Sequence, residues 1–155
     1  MQDDLYAFGA STIIMFGGTL ADDIETDDVA IVQLFGGSFG MDIEASGFSI
    51  IHIFGGQLGV GGVFDTGLGV EDAATIHLYG LSFLIDGTPA GAGDISQTAG
   101  NLAGILGDGN SFSMPFERFD DGAIILHVVP EPASAMLLLI GAGCMMSRRR
   151  NRVTA

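Results

Sequence analysis

The chain contains no Lys and no Trp, one Cys, four Pro and five Arg in 155 residues. The missing bases matter most. All 19 acids lie in residues 1–132 against Arg118 alone, and the other four Arg sit in the last eight residues. A body of that charge repels phosphate backbones, which excludes nucleic acid as a partner and favours solubility, divalent cations or basic partners. With Cys144 alone no intramolecular disulfide can form, so stability must come from packing and backbone pairing. Charged residues make up only 15% and Gly numbers 25, a composition of turn-rich β structure rather than long helices. A run long enough to span a membrane comfortably is also missing. The apolar, uncharged run Ala133 to Met146 falls short of the roughly 20 residues a spanning helix needs.

That stretch is framed on both sides. Val129-Pro130-Glu131-Pro132 precedes it, and Ser147-Arg148-Arg149-Arg150-Asn151-Arg152 follows. The prolines fix φ and lack an N–H, so they end the preceding strand and leave an extended, accessible segment. Basic residues beyond the apolar run stay cytoplasmic by the positive-inside bias and act as the membrane stop. In these residues the chain resembles the PEP-CTERM sorting domain of Gram-negative bacteria, over its C-terminal sixth only. The resemblance implies export across the inner membrane, transient residence there through a transmembrane helix, recognition by an exosortase, and cleavage near Pro130, Glu131 and Pro132. Cys144 would leave with the tail. A plain tail anchor, with the prolines a mere linker, is the alternative.

Upstream, Phe16-Gly17-Gly18, Phe35-Gly36-Gly37 and Phe54-Gly55-Gly56 recur every 19 residues, with a fourth copy at Tyr79-Gly80 after a six-residue insertion. A β-branched run precedes each ring, and an acidic turn such as Asp22-Asp23-Ile24-Glu25 or Met41-Asp42-Ile43-Glu44 follows. Two short strands per repeat, separated by a glycine corner, are expected. One such unit cannot bury its own apolar face, but stacked units can, which predicts an all-β fold built as a short β-solenoid of about four rungs over residues 1–85. Ile13/Val32/Ile51/Ile76 and Met15/Leu34/Ile53/Leu78 are the expected inward ladders. The acidic turn recurs at Asp3-Asp4-Leu5, so Met1 falls inside a rung, and no secretory signal opens the chain. A truncated or mis-assigned start is the expectation, with residues 1–10 as a ragged cap the alternative.

Residues 86–129 read as a capping β-meander with Asp-Gly hairpin turns, a Gly/Ala/Pro-rich loop over 88–100, and an edge strand at Pro115. Residues 130–155 form the sorting signal with its apolar helix. The meander looks like the ends of many solenoid-bearing PEP-CTERM proteins.

Candidate chemistry is sparse. His52 and His77 share a rung position with Gln33 and Ile14, which reads as a surface ladder rather than a metal site, and His127 has no recognisable partner. Stacked turn acids, chiefly Asp22, Asp23, Asp42 and Glu44, read as a solvated edge. Calcium is the alternative occupant, because Gly36 to Asp42 resembles the calcium-binding nonapeptide but carries an extra residue. No other cofactor is expected. No nucleophile context, phosphate loop or singled-out carboxylate pair appears, and a polysaccharide lyase would be expected to show bases beside its acids. The expectation is a non-enzymatic protein of the cell surface or extracellular matrix, with exopolysaccharide or other matrix components as partners. A fragment of a carbohydrate-active β-helix enzyme is the alternative.

Overall fold

The computed structural model describes residues 4–59 and 67–130. Every element in them is a strand: β1 (Leu5–Ala7), β2 (Thr12–Met15), β3 (Thr19–Leu20), β4 (Ile24–Thr26), β5 (Ile31–Leu34), β6 (Ser38–Phe39), β7 (Ile43–Ala45), β8 (Ile50–Ile53), β9 (Gln57–Leu58), β10 (Leu68–Val70), β11 (Thr75–Ile85), β12 (Thr88–Ala90), β13 (Gly93–Asp94), β14 (Ala99–Leu106), β15 (Ser111–Arg118) and β16 (Ala123–Val128). The described part of the protein is all-β. Strands β5 and β8 alternate half-buried and buried residues, the period-2 pattern of a β-branched segment with one face inward.

Three sets of parallel strands organise the first part. Leu5, Ile24, Ile43 and Leu68 align across β1, β4, β7 and β10. Ile13, Val32, Ile51 and Ile76 align across β2, β5, β8 and β11, and Thr19, Ser38 and Gln57 across β3, β6 and β9. Each 19-residue repeat therefore holds three strands, not two; the two residues after the Gly-Gly pair form a short strand of their own. The insertion leaves the stacking of β8 on β11 intact; residues 60–66, where it falls, lie outside the described part.

The fourth repeat departs from the expected glycine corner. Gly80 sits inside β11, which runs straight on to Ile85 and turns through Asp86-Gly87 into β12. A Cβ on Gly80 would come within 2.5 Å of the Ile105 carbonyl oxygen and 2.8 Å of the Phe83 ring, so close packing of β14 on β11, rather than a turn, requires this glycine. Residues 88–100 are not a bare loop. They hold β12 and β13 and the start of β14.

The long antiparallel pair β14–β15 joins β11 on one side and β10 on the other. Two wings of parallel strands thus become one 13-stranded, nearly closed, barrel-like sheet. Pro115 was expected on an edge, yet β15 lies between β10 and β14. Opposite it, Asn101 turns its backbone to Asp86, so Pro115 faces away from β14, and β10 pairs only from Phe116 onward. No ladder bond needs the missing N–H at that position.

The expected inward ladders are the core. Val32, Ile51 and Ile76 are fully buried, as are Leu34, Ile53 and Leu78, and both rows continue onto β16 at Ile124 and Leu126. Ile13 and Met15 at the outer strand β2 are half-buried. Each buried Ile, Leu or Val contributes about 1.5–3 kcal/mol, so the ladders dominate the stability of a thiol-poor chain. One polar pair is buried beside them. The hydroxyls of Thr26 and Ser49, both buried, lie 2.9 Å apart, and Ser49 also donates to the Thr26 carbonyl.

Candidate functional site

Two outward faces carry the side chains with chemistry. The first belongs to β1, β4, β7, β10 and β15, where Tyr6, Glu25, Glu44, Gly69 and Glu117 align. Asp23 and Asp42 flank the same strands, and their carboxylates turn to backbone. Asp23 Oδ1 accepts from the Asp42 N–H at 3.1 Å and Asp42 Oδ1 from the Gly67 N–H at 2.6 Å. Of the expected calcium candidates, Asp22 and Asp23 come together with Asp4, each offering an oxygen within 4.8 Å of the others. Asp42 and Glu44 are not part of that group, because they serve the next repeat.

Gly67 and Gly69 leave the middle of this face without side chains. The result is a groove of about 300 Å³ lined by Asp42, Glu44, Pro115, Glu117 and Phe119. Glu44 leans over Gly69. Its carboxyl is raised above the usual range, first by burial and then by the charges of Asp42, Glu25, Asp23 and Glu71. Arg118 does not relieve them; it pairs with Asp94 at 3.3 Å and donates from Nε to the Gly122 carbonyl.

The second face belongs to β2, β5, β8, β11 and β16. Phe16, Phe35, Phe54, Tyr79 and His127 form a continuous stack with ring centroids 5.2, 4.5, 4.3 and 4.4 Å apart. These spacings follow the ~4.8 Å between strands, so the rings stack because their strands do. Ring faces cover one another and edges meet solvent, which makes the column a stiffening element rather than a platform for a flat ligand. Phe16, at the end of the stack, is 78% exposed.

Beside it runs the expected ladder, Ile14, Gln33, His52 and His77. The imidazoles of His52 and His77 stack at 4.7 Å, and His52 Nδ1 lies 3.2 Å from the Tyr79 hydroxyl. Burial is the first cause that lowers the pKa of both His52 and His77; the charge of His127 adds to it at His52, and those of His52 and His127 at His77. His127 was expected to stand alone. Instead its Nε2 is 3.0 Å from His77 Nδ1, because β16 pairs in parallel with β11 and sets His127 opposite Tyr79. A signal for this existed in the alternation Ile124-Ile125-Leu126-His127, which repeats Ile76-His77-Leu78-Tyr79 in type and places a ring at the fourth position.

Of the expected sorting residues, Val129 donates its N–H to the Gly80 carbonyl and Pro130 is exposed just beyond β16. Glu131, Pro132, Arg148, Arg149, Arg150 and Arg152, with the apolar helix expected between them, lie outside the described residues. Among the described residues no helix is long and apolar enough to cross a membrane. No protein-family model matches the chain, and no curated protein or solved structure is found similar to it.

Proposed function

We propose that the chain is a short β-solenoid displayed at the cell surface or in the extracellular matrix, serving as a structural or adhesive element without catalysis of its own. The observation that carries this reading is the 19-residue parallel register, which stacks equivalent residues in columns along three ladders. Such stacking sets side chains in columns on each outer face, carboxylates at Glu25 and Glu44 on one and aromatic rings at Phe16, Phe35, Phe54 and Tyr79 on the other. A repeating surface suits a repeating partner, such as an exopolysaccharide, and the carboxylate column selects against polyanionic chains. In this reading residues 86–129 close the last rung, where a bare edge would template aggregation.

Export rests on the tail. Pro130, Glu131 and Pro132 are the segment an exosortase recognises, the apolar run is the transient membrane anchor, and Arg148 to Arg152 hold the cytoplasmic side. A second reading, a non-catalytic piece of a carbohydrate-active β-helix enzyme, is favoured by the groove over Gly69 with Glu44 and Glu117 on its two sides. The test is localisation with and without residues 129–155 in an exosortase-bearing host. The full chain should reach the surface or matrix fraction and the shortened one should not. Equal delivery of both would reject the sorting role.

A further inference from the structure

We propose that His77 and His127 form a binding site for a tetragonal divalent transition-metal ion, copper(II) foremost, with His77 Nδ1 and His127 Nε2 as its two protein donors. The argument starts from where the sheet puts them. His77 lies on β11 and His127 two positions beyond its pairing partner Ile125 on β16, so both rings project from one face of adjacent parallel strands. Their facing nitrogens are 3.0 Å apart. Two imidazole nitrogens bound at about 2.0–2.1 Å to one ion lie about 2.9 Å apart at a right angle and about 3.4 Å apart at the tetrahedral angle. The observed separation fits the right angle, the bite of a tetragonal copper(II) or nickel(II) site. Copper(II) binds more tightly than nickel(II) or zinc(II) to a given nitrogen set.

The rings are also held in place. Tyr79 stacks on His127 at 4.4 Å with planes 9° apart, and His52 stacks on His77 at 4.7 Å. Donors fixed by their neighbours lose little freedom on binding. His52 does not join the ligand set, because its ring lies face to face on His77 with planes 9° apart, so its in-plane nitrogens do not converge with those of His77, and its Nδ1 is engaged with the Tyr79 hydroxyl. In the free protein one N–H lies between the two nitrogens. Binding requires that proton to sit on the outer nitrogen of its own ring, His77 Nε2 or His127 Nδ1, so a change of tautomer suffices and no proton is lost. Water fills the remaining positions around the ion.

The experiment is a titration of the full chain, carrying Cys144→Ser to remove the competing thiol, with copper(II), nickel(II) and zinc(II) salts. Calorimetry gives affinity, and electron paramagnetic resonance of the copper form counts its nitrogen ligands. One copper per chain with two coupled nitrogens is expected, with copper held more tightly than nickel or zinc. His127→Phe keeps a ring in the aromatic stack but removes the donor, and His77→Gln places there the residue that the same ladder already carries at Gln33. Each should weaken copper binding about tenfold or more, and His52→Gln should leave it nearly unchanged. Circular dichroism confirms that the variants fold. Absence of copper binding, binding through oxygen donors, or binding unaffected by His127→Phe and His77→Gln would each overturn the proposal.

Discussion

Asp72 accepts a 3.1 Å hydrogen bond from the Gly47 backbone N–H while its own backbone sits at φ 55°. Asp28 stands in the same relation to Gly9, at 3.0 Å and φ 59°. The four residues occupy one turn position in successive repeats, all left-handed, and Gly and Asp alternate along it. Aspartate tolerates this conformation better than most side chains, and its carboxylate reaches back to the amide of the previous repeat. The next position must then be small: a Cβ on Gly47 would meet the Asp28 nitrogen at 2.9 Å.

Asp72→Ala removes the acceptor and leaves a Cβ in a left-handed turn with no compensating bond, which should cost about 1–2 kcal/mol. Asp72→Gly loses the same bond but adopts the turn freely, so it should cost less. Urea unfolding midpoints of the two variants give the order. Equal midpoints for Asp72→Ala and the parent chain would mean that the bond contributes nothing.

Val32 is fully buried between Ile13 and Ile51. Val32→Asp puts a carboxylate there with no partner, at a cost of several kcal/mol against a total stability of about 5–15 kcal/mol for a domain. The cooperative unfolding transition should disappear at room temperature. Val32→Ala, which only opens a small cavity, should retain it.

The inner ladders could be read from the sequence because the period of the apolar residues and that of the Phe-Gly-Gly corners agree, so Ile13, Val32, Ile51 and Ile76 could be aligned without knowing the fold. The three-strand composition of each repeat was hidden in pairs as short as Ser38-Phe39, where two residues carry no periodicity. Pro115 misled for a different reason. Proline bars a strand from the interior only if its N–H is needed, and which side of β15 faces β10 is a fact of pairing, not of composition. His127 escaped because its partner lies 50 residues away and is reached only after the chain returns from β14 and β15 to pair with β11. The groove over Gly69 is likewise a property of neighbours, since a Gly-x-Gly segment makes a recess only when long side chains stand on both adjacent strands.

The raised carboxyl of Glu44 fixes the sign of a pH effect. Its folded-state pKa lies above the ordinary value of 4.5, so the native protein holds this proton more tightly than the unfolded chain. Glu44 therefore favours folding below pH 4.5, and that contribution is lost as pH rises through its folded-state pKa. Glu44→Gln should unfold at higher urea than the parent at pH 7, and the difference should shrink as pH falls toward 4.5. Salt, by screening Asp42, Glu25, Asp23 and Glu71, should narrow the gap at pH 7. A difference that stays constant with pH would show that the packing of Glu44, and not its charge, sets the effect.

The tail makes the most direct claim on biology. If an exosortase acts at Pro130, Glu131 and Pro132, cleavage there separates the body from Cys144 and all four terminal arginines, so the mature chain should keep Arg118 as its only Arg. Replacing Pro130, Glu131 and Pro132 together by Ala removes the signal but leaves the apolar run and the arginines, so the chain should enter the membrane and remain there uncleaved. Strand β16 ends before the substituted positions, and among the described residues the last backbone bond, from Val129 to Gly80, does not involve them, so folding of the body should be unaffected. Intact-mass analysis of the membrane and extracellular fractions reads both outcomes. A parent chain recovered outside the cell with Arg148 to Arg150 still attached would remove the case for processing. A triple-Ala chain released as fast as the parent would show that cleavage, if any, does not depend on these three residues.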